Sequence, residues 1–94
     1  MNKLITIICL CLINLSYSQT TISGKVVDHK NQPIVGANIY LDGTYDGDTS
    51  NDEGKFDFTT EEKGTQTLVI SFLSYETKTI IDDVSKLSNL QITL

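Results

Sequence analysis

The run that decides the fold lies between positions 22 and 58. It reads Ile22-Ser23-Gly24-Lys25-Val26-Val27-Asp28, then Gln32-Pro33-Ile34-Val35-Gly36-Ala37-Asn38-Ile39-Tyr40-Leu41-Asp42-Gly43-Thr44. After an acidic loop it resumes as Asn51-Asp52-Glu53-Gly54-Lys55-Phe56-Asp57-Phe58. Apolar side chains recur at every second position in short pieces, and Gly, Pro and Asp stand between the pieces. Period-two alternation gives an extended strand one buried face. Turn formers at the joints keep each strand short. Ile22 and Val26 share a face with Gly24 between them, and Val27 points the other way. Ala37, Ile39 and Leu41 face inward, with Asn38 and Tyr40 outward. Phe56 and Phe58 face inward, with Lys55 and Asp57 outward.

Outward from this run the same grammar continues. Strands are expected at 20–28, 37–41, 48–50, 55–60, 67–75, 76–81 and 90–94. In the fifth, Leu68, Ile70 and Phe72 line one side, and Val69, Ser71 and Leu73 the other. Apolar residues on both sides suit a central strand, or one covered on its second face by a partner. Val84 and Leu87 fall at helical spacing too briefly for more than one turn. Seven short strands with turn signals between them predict an all-β sandwich. Its core is expected to gather Ile22, Val26, Ile39, Leu41, Phe56, Phe58, Leu68, Ile70 and Phe72.

Residues 1–18 are expected to be a secretory signal peptide. Lys3 gives a positive start, residues 4–15 are almost wholly apolar, and Ser16 and Ser18 are small residues before a cut at Gln19. Twelve helical residues reach only about 18 Å, short of a hydrocarbon core of about 30 Å, so no transmembrane span is expected after cleavage. Both cysteines, Cys9 and Cys11, lie in the signal, and neither follows the small residue that lipoprotein processing uses. Residues 19–94, a single exported domain, therefore hold no disulfide and must be stabilised by packing. So short a chain buries only about 60% of its unfolded surface. With Lys3 gone, six lysines and no arginine stand against twelve acidic residues. That balance excludes the basic footprint of nucleic-acid binding and makes an anionic membrane a poor partner.

The chemistry-bearing residues are sparse. His29 is the single histidine, placed in a turn beside Asp28. A zinc site takes three or four ligands, so one histidine without cysteines points away from metal-assisted hydrolysis, and no enzymatic activity or cofactor is expected. The acidic loop is the densest polar cluster, and Asp46, Asp48 and Asp52 are its calcium candidates. Asp46 and Asp48 suit the first and third positions of an EF-hand loop, but the sixth position is Asn51 rather than Gly and the twelfth is Asp57 rather than Glu. The competing reading is a solvated turn in which Asp bonds to nearby backbone. There is no tryptophan, so a sugar-stacking surface would have to use Tyr40 and Tyr45, the two aromatics free of the core.

In order and spacing, Gly24-to-Asp28, Pro33-to-Thr44, Gly54-to-Phe58 and Phe72-Leu73-Ser74-Tyr75 resemble the carboxypeptidase-regulatory-like domain, a seven-stranded Greek-key, transthyretin-like β-sandwich. The last segment has Ser74 where the family carries glycine. The resemblance spans residues 20–94 and specifies the scaffold more closely than the task. Such domains occur at the N-terminus of TonB-dependent outer-membrane receptors, directly behind a signal peptide. The resemblance thus implies a non-catalytic accessory or binding domain of the cell envelope, in the periplasm or at the outer membrane, acting on a protein partner. Residues 1–94 carry no plug or barrel, so either a free-standing module or the front piece of a longer receptor is expected. A final strand at a sheet edge would offer unpaired backbone groups for strand addition. The alternatives are a carbohydrate-binding sandwich and a regulatory domain associated with a metallocarboxypeptidase.

Overall fold

The computed structural model describes residues 18–94, and the signal-peptide expectation lies almost wholly outside them. Seven strands follow in order: β1 (Thr20–Val27), β2 (Asn38–Leu41), β3 (Gly47–Thr49), β4 (Lys55–Thr60), β5 (Thr65–Ser71), β6 (Lys78–Asp83) and β7 (Leu90–Thr93). A 3-10 turn at Val84–Lys86 joins the last two. The strands form two sheets, one ordered β4-β1-β7 and the other β3-β2-β5-β6. All pairings are antiparallel except β1 with β7, which run parallel from Gly24↔Leu90 to Val27↔Thr93. No helix among the described residues is long and apolar enough to cross a membrane.

The core lies between the sheets. Ile22, Val26, Ile39, Leu41, Phe56, Leu68 and Ile70 are buried together, and Phe58 and Phe72 pack against them. All nine residues expected to share an interior therefore do. Ile34, Ala37, Leu87 and Ile92 complete the cluster. Burial of this kind contributes about 1.5–3 kcal/mol for each large aliphatic side chain.

Gly24 shows how closely the middle of β1 is approached. A Cβ there would lie 2.6 Å from the Leu90 carbonyl oxygen and 2.9 Å from the Phe56 ring. Gly54 sits at φ +77, and a Cβ would lie 2.5 Å from the Val26 carbonyl. Its own carbonyl accepts the Val26 N–H at 2.8 Å, which fixes the turn before β4 against β1.

Two strand bounds need correction, and one burial is new. Val27 faces away from the central core by strand parity yet is 2% exposed. The segment after β1 folds back there, bridging Val27 to Pro33. The fifth strand ends at Ser71 rather than 75, because Phe72 to Tyr75 makes a turn closed by the Tyr75 N–H on the Phe72 carbonyl at 2.9 Å. Leu73, expected on the strand, is 88% exposed in that turn and takes a positive φ of 36. The positive φ thus falls on Leu73 and not on Ser74. The sixth strand consequently begins later, at Lys78, and runs to Asp83.

Candidate functional site

The two sides of the sandwich are closed differently. On one side β3 lies against β4. The Asp48 carboxylate accepts the Asp57 N–H at 3.0 Å, and the Thr60 hydroxyl donates to Asp46 Oδ2 at 2.7 Å. Asn51 Oδ1 accepts the Lys55 and Glu53 N–H groups at 2.9 and 3.0 Å. Oxygens of the acidic loop therefore occupy the outer edge of β4. Of the three calcium candidates, Asp46 and Asp48 make these bonds and Asp52 is exposed. Among the described residues no group of three or more His, Cys, Asp or Glu comes together to hold a metal.

On the other side lie β6 and β7, each the last strand of its sheet. Lys78 Nζ donates to the Thr93 carbonyl oxygen between them, at 3.2 Å. Backbone direction on β7 follows from parallel pairing. Leu94 N–H donates to Val27 O at 2.9 Å, so residues of that parity face β1. The N–H and C=O groups of Gln91 and Thr93 then point out of the sheet. Lys78 takes one of these four groups. Inward along β7, Ile92 is buried, and Leu90 and Leu94 are half-buried at the margin.

A broad concavity of about 650 Å³ lies over the outer face of β4-β1-β7. Ser23, Lys25, Lys55, Asp57, Asn89 and Gln91 are among its lining residues. Lys25 and Lys55 stand opposite each other in the β1–β4 register, and Ser23 stands opposite Asp57. Like charges placed directly opposite are unfavourable in a sheet. Lys55 also meets Glu53 at 3.2 Å, with both side chains largely exposed, a geometry that contributes little. The outward alternation of Lys55 and Asp57 was legible in the sequence. The meeting with Asn89 and Gln91 was not, because it depends on β7 lying beside β1.

The remaining candidates are dispersed. Tyr40 projects outward from β2 and is 38% exposed, while Tyr45 is fully exposed in the loop before β3. Neither lines the large concavity. His29 is exposed in the turn after β1. Beside it, Asp28 Oδ1 accepts the Lys30 and Gln32 N–H groups at 2.8 and 3.0 Å. The backbone bond from Gln32 is the main cause holding the Asp28 carboxyl below its ordinary range. Asp83 is lowered in the same way, by the Ser85 N–H and then the Ser85 hydroxyl, at 3.0 and 2.7 Å. Both aspartates act as turn caps.

Sheet order, core and edges define a two-layer β-sandwich domain. The chain belongs to the CarboxypepD_reg-like domain family, whose model matches residues 22–94. No curated protein matches the chain. Among solved structures, it resembles chains of two interface mutants, one C-terminal and one N-terminal, of a type II cohesin–X–dockerin complex from Acetivibrio cellulolyticus. Identity is 25% in both, with TM-scores of 0.59 and 0.60. The likeness covers 79% of this chain and 51% of those chains. This chain therefore accounts for about half the length of the chains it matches.

Proposed function

We propose that this domain is a non-catalytic accessory module of the cell envelope that binds a protein partner by strand addition at β7. The observation that carries the reading is the outer side of β7, where Gln91 and the Thr93 N–H face away from the β1 ladder. Backbone groups in that state bind an extended segment by main-chain hydrogen bonds. The match to chains from a cohesin–X–dockerin complex supports a protein-contact role for a sandwich of this shape. Export to the periplasm or outer membrane rests on residues 1–18, and a receptor-associated setting rests on the family. The seven strands are read as a transthyretin-like Greek key because the chain crosses between the sheets after β1, β3, β4 and β6.

The test uses a substitution that removes one edge donor and leaves the β1 ladder alone. Proline is tolerated on an edge strand where its missing N–H would have faced solvent. Gln91→Pro should leave the folded spectrum unchanged and abolish a cross-link formed by a photoreactive group at position 93 in cells. Cross-links that persist in the Gln91→Pro chain would remove the strand-addition reading.

A carbohydrate-binding role is the second reading, favoured by the polar concavity with Asn89 and Gln91 at its rim. Glycan binding that survives Tyr40→Ala with Tyr45→Ala and is lost with Gln91→Ala would assign it to that concavity. Regulation of a metallocarboxypeptidase is supported by the family description alone.

A further inference from the structure

We propose that two copies of this chain pair edge to edge through β6, forming a symmetric dimer with a continuous eight-stranded sheet. The inference starts from the backbone of β6. Val84 N–H donates to Gly64 O at 3.1 Å, and Asp42 N–H donates to Thr67 O at 2.9 Å. Together with the β5 registers, these place Lys78, Ile80 and Asp82 as the residues bonded to β5. Thr79 and Ile81 then present their N–H and C=O groups at the outer edge.

The side chains of this edge are complementary to their own copy. Ile80 pairs with inward-facing Leu68, so Lys78, Ile80 and Asp82 share the inner face. Lys78 and Asp82 flank Ile80 symmetrically, with opposite charge. An antiparallel pairing about a two-fold axis at Ile80 sets Lys78 against Asp82 of the second copy, twice. Thr79 meets Ile81 across the same axis through mutual backbone hydrogen bonds. The charge pairs then occupy non-hydrogen-bonded sites, where side chains approach closest. Ile80, half-buried in one copy, meets its equivalent, and Ile81, 68% exposed, gains cover on the outer face.

Two further features fit. Three strands face four, and β6 is the last strand of the larger sheet. Its edge can be reached without displacing β7. Lys78 has three donors; one goes to Thr93 O, which leaves two for a carboxylate. Asp82 uses Oδ1 to accept the Asp83 N–H at 2.8 Å, which leaves Oδ2. Inward charges on an edge strand ordinarily discourage pairing. Here they discourage every strand except one with the reversed order of charges, which β6 itself supplies when turned end for end. The symmetry is that of an isologous interface.

Sedimentation equilibrium on the full chain tests this. The unaltered chain should associate as a dimer. Lys78→Asp and Asp82→Lys should each weaken the dimer by about tenfold or more, since two opposite-charge pairs become two like-charge pairs. Mixing the two single variants should restore a dimer, because each presents what the other lacks. Lys78→Asp combined with Asp82→Lys should restore it within one chain. A monomeric unaltered chain, a dimer indifferent to either reversal, or failure of both the mixture and the double variant would overturn the proposal. The mixture controls for any loosening of β7 when Lys78 leaves Thr93, since only edge pairing recovers the dimer from two impaired chains.

Discussion

Gly24 is the residue of β1 that both neighbours in the β4-β1-β7 sheet approach closely. Phe56 on one neighbour and Leu90 on the other meet over it, and only the missing side chain lets both approach. Gly24→Ala should destabilise the domain by about 1–3 kcal/mol through overpacking. Urea unfolding followed by circular dichroism would show this as a lower midpoint with an unchanged slope. Ser50 does comparable structural work across the other joint. Its hydroxyl donates to the Ile34 carbonyl at 2.7 Å and accepts the Ala37 N–H at 2.9 Å, buried in both directions. Nothing in the local sequence announces Ser50 as a core residue. Its partners stand 13 and 16 positions away, and polar residues are read as exposed until a distant segment is known to cover them. Phe56 and Ile39, by contrast, were legible at once, because alternation within a single strand fixes their face.

At the level of the element, strand interiors were readable and strand ends only in part. The bounds of β4 follow directly from Lys55-Phe56-Asp57-Phe58, because charge and aromatic ring alternate without interruption. β5 was read too long because Phe72 and Leu73 continue its apolar pattern into a turn. Alternation carries no information about where a ladder loses its partner. The geometry of the acidic loop makes it a set of backbone caps along β4, in keeping with a turn whose side-chain oxygens bond to nearby backbone. Caps of this kind have a pH signature. The folded chain holds Asp83 below its ordinary pKa through the Ser85 groups, so the unfolded chain takes up the proton first as pH falls. The stabilisation from this cap is complete above the unfolded pKa and is lost as pH drops through the lowered folded value. Stability should therefore decline as pH falls through and below the ordinary aspartate range. The decline should be smaller in Asp83→Asn, measured by urea midpoints across that range. An identical decline in both chains would show that the cap contributes nothing.

At the scale of the whole molecule, β6 and β7 end their sheets on one side of the sandwich and, among the described residues, present edges of different character. β7 offers backbone groups beside a polar concavity, and β6 offers a charge-coded strip. Amide hydrogen exchange separates them. The Gln91 N–H should exchange rapidly and the Ile92 N–H slowly, because adjacent amides of one strand point to opposite sides. Thr79 and Ile81 should become protected only as concentration rises and copies associate. Equal protection at Gln91 and Ile92 in the isolated chain would mean that the β7 edge is already covered. Family and sandwich were legible from the spacing of glycine, proline and alternating apolar residues. Which edges remain open was not, since that depends on strand order.

The parallel β1–β7 pairing bears on how the domain responds to tension. Its first and last strands lie side by side and point the same way, so Thr20, before the first rung, and Thr93, at the last, lie at opposite ends of the pairing. A pull applied between those ends shears the rungs from Gly24↔Leu90 to Val27↔Thr93 together, instead of peeling them apart in turn. Between two tethered bodies, such a unit would behave as a stiff link whose resistance depends on those rungs yielding simultaneously.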